Sequence, residues 1–259
     1  MKRFFLYSLM FLFIAGLAAL AFGFYNAKNI RVWAGAAAEI KAKHDVFAKE
    51  KDVESKFDAS GGKKMEELKK ELAGFSTDLD SIVRETQTAR QEIDELGGSM
   101  ATKAVRAEID EYYQQSGDQA KNVASMVKFM RELFEVAMIF DRIKADTTLE
   151  EIQKMIGEAK IKSENVDFEI LPTEIKDTGV DLKKSLDNYL EVLDQYAAGK
   201  IDNINQLNSN YDDFSQKQND FWSARKKLAI YANMEKLNLL GNKIDNDLLI
   251  LEKVQFSLK

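Results

Sequence analysis

The chain has 259 residues, with 37 Lys and Arg against 43 Asp and Glu, one histidine and no cysteine. A net charge of −6, with the two signs interspersed, leaves no basic footprint for nucleic acid. Lack of cysteine excludes disulfides, thiol nucleophiles, lipidated-cysteine anchors and CxxCH haem attachment. One proline in the whole chain, where about 5% is usual, points to long uninterrupted helices.

Residues 4–24, FFLYSLMFLFIAGLAALAFGF, carry no charge. At about 1.5 Å per helical residue they match the roughly 30 Å of a bilayer core. Nothing later in the chain is comparable, so a single membrane span is expected, with Phe4, Leu12, Phe13, Leu20, Phe24 and Tyr25 as anchor residues. Ala19-Leu20-Ala21 and Ala21-Phe22-Gly23 offer signal-peptidase sites, but the apolar run is long enough to span and continues past both. It therefore reads as an uncleaved signal-anchor, with Tyr25 and Trp33 as interfacial aromatics. The basic start, Lys2-Arg3, places the N-terminus in the cytoplasm of a bacterial cell and the bulk outside it.

Residues 26–60 continue as a juxtamembrane helix, with Trp33, Ala37, Ile40, His44 and Phe47 on one stripe. Gly61-Gly62 breaks it. From Met65, the positions Leu68, Leu72, Phe75, Leu79, Ile82, Thr86, Ala89, Ile93 and Leu96 alternate three and four apart, a coiled-coil-like seam closed by Gly97-Gly98. A short connection there makes the next helix an antiparallel neighbour.

Residues 99–145 form that helix, with an interruption expected at Ser116-Gly117-Asp118. Its second half, MVKFMRELFEVAMIFDRI, is apolar around too wide an arc for a two-helix seam, so it reads as the centre of the bundle. The alternative is an apolar pocket lined by Met130, Phe134 and Met138. Thr148-Leu149-Glu150-Glu151 is a capping-box pattern for a short helix to about Lys160. An irregular linker follows to Pro172, with Val166, Phe168 and Ile170 alternating as in an extended segment.

A helix from Thr173 to Ala198 stops at Gly199. The last long pattern runs through Leu207, Tyr211, Phe214, Gln218, Phe221, Arg225 and Leu228, and continues beyond Gly241. Phe214, Phe221 and Arg225 join Leu68, Leu72, Phe75, Leu79 and Ile82 as the candidate interaction seam.

The expected fold class is all-α: a transmembrane helix followed by an elongated antiparallel bundle of four or five long helices. The expected partition is 1–25 anchor, 26–60 juxtamembrane helix, 61–147 helical hairpin, 148–172 short helix and linker, and 173–259 C-terminal hairpin. With one histidine, His44, neither a zinc site nor a di-iron bundle pattern can be assembled. Gly61-Gly62-Lys63-Lys64 lacks P-loop spacing, and Asn208-x-Asn210-x-Asp212 lacks the glycine and glutamate of a calcium loop. No catalytic residue, cofactor or metal is expected.

A single N-terminal span, then Tyr25-Asn26 and long helices, resembles the LemA family of membrane-anchored helical proteins, with His44-Asp45 as a second matching pair. The spacing between the pairs is shorter than in that family, its later motifs are missing, and no family is assigned. The expectation is a non-enzymatic, single-pass scaffolding protein of the cell envelope that binds protein partners or itself and no nucleic acid. The alternative is a ligand-sensing or accessory bundle reporting to a membrane partner, with its small-molecule ligand unknown.

Overall fold

The computed structural model describes residues 2–59, 65–143, 146–200, 203–224 and 229–255. Every regular element among them is helical: α1 (Lys2–Lys43), α2 (Val46–Ala59), α3 (Met65–Glu95), α4 (Lys103–Ala137), a 3-10 turn (Phe140–Arg142), α5 (Leu149–Glu164), α6 (Thr173–Ala197), α7 (Ile204–Ala224) and α8 (Ala229–Glu252). The all-α class is as expected.

One extra break falls at His44-Asp45, where the Val46 amide donates to the His44 carbonyl across 2.8 Å. The C-terminal pattern is described as α7 up to Ala224 and α8 from Ala229; Arg225 and residues 226–228 between them lie outside the described residues, as do Gly61 and Gly62. Conversely, α4 runs unbroken through Ser116-Gly117-Asp118. Ser116, Gly117, Gln119 and Ala120 all face the interior there, and such packing outweighs the roughly 1 kcal/mol that glycine costs a helix.

The capping box forms as its sequence implies. The Glu151 amide donates to Thr148 Oγ1 at 3.2 Å, and the Thr148 amide donates to Glu151 Oε2 at 2.8 Å. Helix α5 then outlasts its expected end, because Ser163, buried, donates to Asp187 Oδ1 on α6 at 2.6 Å. The expected extended run at Val166–Ile170 is instead a pair of turns, closed by Val166 N–H to the Ser163 carbonyl and Leu171 N–H to the Phe168 carbonyl. Val166 and Leu171 are buried, so the connection is held down by apolar contacts.

The chain divides into two compact units, each assembled from segments distant in sequence. The first comprises Met1–Val46, Glu85–Gln115 and Leu237–Lys259. Its core is formed by Ala27, Ile30, Trp33, Ala34 and Ala37 of α1, Ala89 and Ile93 of α3, Val105, Ile109, Tyr112 and Tyr113 of α4, and Leu237, Ile244 and Leu248 of α8. Ion pairs fix the directions. Arg90–Asp110 (2.6 Å) and Arg106–Asp94 (2.7 Å) step oppositely along α3 and α4, which makes the hairpin antiparallel as expected. Gly97, at φ 64°, turns the chain between them. Lys41 on α1 pairs with Asp245 on α8 at 2.7 Å and stands over the Tyr112 ring.

The second unit comprises Phe47–Arg84 and Ser116–Lys236. In it α4 is buried around a wide arc by Val123, Met126, Val127, Phe129, Met130, Leu133 and Phe134. This bears out its reading as a central helix. Phe129 meets Phe221 of α7 with ring centroids 5.1 Å apart. Helices α5 and α6 are antiparallel, with Lys160 bonded to Glu191 (2.6 Å) and Asp194 (2.8 Å). Gly199, at φ 66°, ends α6 as expected, and Tyr189 stacks on Phe214 across the α6–α7 pair.

Candidate functional site

The expected anchor residues belong to α1. The side chains of Phe4, Leu12 and Phe13 lie outside the described residues. Leu20 is half-buried, whereas Leu17, Phe22, Phe24 and Tyr25 are 51%, 69%, 59% and 65% exposed. Among the described side chains of α1, Ala27 is the first that is buried. Among the described residues no helix is long and apolar enough to cross a membrane. Trp33 departs from its reading as an interfacial aromatic. It is buried in the first unit and its indole N–H donates to the Gly97 carbonyl at 2.9 Å. Its polar edge is thus satisfied by protein, where an interfacial tryptophan turns that edge to headgroups and water.

The seam residues fill the chain's own interior. Leu72, Phe75, Leu79 and Ile82 are buried within the second unit, and Ala89 and Ile93 within the first. Phe221 is buried and Phe214 half-buried; the Leu68 side chain and all of Arg225 lie outside the described residues. Of the alternative pocket, Met130 and Phe134 are buried and Met138 is half-buried. A cavity of about 220 Å³ lies elsewhere, lined by Lys56, Glu71, Gly74, Phe75 and Asp78. Its ammonium is already engaged, 2.6 Å from Asp52 and 3.2 Å from Asp78, and these carboxylates hold the Lys56 pKa above its usual value.

His44 is buried at the end of α1, with Nε2 3.3 Å from Glu92 Oε2. Lys43 donates to the other Glu92 oxygen at 2.6 Å and, with burial opposing it, is the main reason that the Glu92 carboxyl is held below the usual range. The buried Tyr113 hydroxyl donates to the His44 carbonyl, and burial drives its own ionisation upward. Together these contacts tie down the α1–α2 break.

The most unusual chemistry lies in the second unit, at a residue the sequence did not single out. Glu50 of α2 is 5% exposed and accepts the hydroxyl of Ser116 on α4, itself buried. Its other oxygen, Oε2, has no partner among the described residues. One turn along α4 from Ser116, Gln119 is also buried, and neither end of its amide has a partner among the described residues. Burial pushes the Glu50 pKa up to about 8, with the Ser116 hydroxyl opposing and the Glu54 carboxylate adding to the rise. No signal in the one-dimensional pattern marks this position: a glutamate in an AKEKDVESK run reads as a solvated helix face until α4 closes over it.

Comparison with protein-family models, curated proteins and solved structures finds no match. What the chain does must therefore be argued from its own residues.

Proposed function

We propose that this is a non-catalytic, membrane-anchored helical protein whose bundle docks protein partners in the cell envelope. The observation that carries the reading is the continuity of α1. One helix bears the exposed apolar residues Leu17, Phe22, Phe24 and Tyr25 and then, from Ala27, enters the core of the first unit. Apolar surface left in water costs on the order of 25 cal/mol per Å², and a contiguous apolar stretch of this kind is relieved by lipid. Lys2 and Arg3 ahead of it favour an N-terminus in the cytoplasm and a bundle outside it. Sign-mixed charges on the outer faces can steer and orient a partner of complementary charge.

A non-enzymatic role is supported by the placement of the one carboxyl whose acidity is strongly displaced among the described residues. Glu50 is enclosed between helices, and a general acid or base must reach its substrate. The same enclosed group favours a second reading, in which the bundle senses its surroundings and reports to a membrane partner.

Cross-linking in intact cells, followed by detergent extraction, affinity capture of the tagged full chain and mass spectrometry, tests the docking role. Stoichiometric recovery of envelope proteins is expected. Recovery of the chain alone would contradict it.

A further inference from the structure

Glu50 and Ser116 form the only hydrogen bond that the Glu50 side chain makes among the described residues. No Lys, Arg or His among the described residues pairs with it. The charged group that acts on it is Glu54 on its own helix, and the α4 residues at this place, Ser116 and Gln119, are uncharged. A carboxylate enclosed in this way lacks the cation or array of donors that an ionised form needs. The neutral acid buries no net charge; the Ser116 hydroxyl donates to one of its oxygens, a bond that by itself favours the carboxylate and is outweighed by burial.

We propose that the Glu50 carboxyl is a proton-operated latch, which holds α2 against α4 while protonated and releases α2 when its proton leaves. The ligand of this site is the proton, and Ser116 is the positioning residue that receives the acid. The cycle is balanced by solvent: as α2 opens, Glu50 gains water, gives its proton to bulk base and stays out as the carboxylate; acidification returns the proton and the helix closes. The displaced acidity of Glu50 puts this exchange in the neutral to mildly alkaline range. The inference rests on the second unit alone and stands apart from the anchor and docking reading.

Hydrogen–deuterium exchange on the full chain in detergent, from about pH 5.5 to 8.5 and corrected for the intrinsic exchange rate, tests it. Protection of α2 is expected to fall roughly tenfold per pH unit until it levels near pH 8, and at every pH to stay below that of α5 and α6. In Glu50→Gln, α2 is expected to hold its protection across the whole range. Equal pH dependence in the two proteins would overturn the latch. So would equal protection of α2, α5 and α6 at each pH, which would mean exchange by global unfolding and no release of one helix. Should the variant not fold, carbon-13 NMR of glutamate carboxyls in the unaltered chain decides. A buried carboxyl that keeps its proton to about pH 8 supports the latch, and titration of every glutamate below about pH 5 overturns it.

Discussion

Trp33 donates its indole N–H to the Gly97 carbonyl across 2.9 Å, tying α1 to the turn between α3 and α4. The two residues are 64 positions apart in sequence, and the bond falls on a glycine whose left-handed backbone shapes that turn. The helix that carries the apolar N-terminal stretch is thereby fastened to the first unit by a specific polar contact as well as by its buried alanines. Replacing Trp33 with Ala removes both the ring and the donor and is expected to cost about 3–5 kcal/mol. Trp33→Phe keeps much of the apolar volume but leaves the Gly97 carbonyl short of its donor, for about 1–3 kcal/mol. Denaturant unfolding of the two variants in detergent checks the order and the gap.

Two glycines separate backbone strain from crowding. At Gly97 a Cβ would meet no atom within 4 Å, but φ is 64°. Gly97→Ala should therefore cost about 1–2 kcal/mol for the left-handed conformation alone, and Gly97→Asn less, because asparagine tolerates that region. At Gly179 a Cβ would stand 2.1 Å from Leu171 Cδ1. Gly179→Ala is expected to cost about 1–3 kcal/mol through overpacking, and the companion change Leu171→Ala should relieve that part of it. A double-mutant cycle with non-zero coupling at 171/179 is the expected pattern.

Stability should fall with rising pH because of Glu50. Its folded-state pKa, about 8, lies above the 4.5 of an unperturbed glutamate, so between those values the folded chain binds more protons than the unfolded one. Stability contributed by the neutral acid is complete below about pH 4.5 and is lost up to about pH 8, at about 1.4 kcal/mol per pH unit at most. Glu50→Gln removes that slope. Urea melts at pH 5 and pH 8 should show the variant gaining on the unaltered chain at the higher pH; a constant difference between them would contradict the assignment.

At the start of α5, Thr148→Ala removes the acceptor for the Glu151 amide, and Glu151→Ala the acceptor for the Thr148 amide. Each is expected to cost about 1 kcal/mol. The double variant should cost less than the sum, because the two bonds belong to one reciprocal motif.

Local signals were legible where one short-range rule dominated. The three-four alternation from Leu72 to Ile93 predicted the buried face of α3, Gly97 and Gly199 stop helices through positive φ, and Thr148 and Glu151 form their box. The same rules misled where packing outweighs them. Gly117 lies inside α4 despite its helix-breaking tendency, and Trp33, amphipathic and near the apolar stretch, is drawn into the core by Gly97. The break at His44-Asp45 carries neither Gly nor Pro; its carbonyl is taken by Tyr113, 69 residues away. Glu50 was invisible for the same reason, since its partner Ser116 lies 66 positions away on α4 and its own neighbours are charged. The division into two units, each drawing on distant segments, has no signature in hydropathy or spacing at all.

The most direct test of the account is alkaline carbonate extraction of membranes from cells that express the full chain. Retention of the chain in the membrane pellet, lost when Phe13 and Leu17 are both replaced by Lys, is the expected result. Release of the unaltered chain into the carbonate supernatant would contradict membrane anchorage through α1.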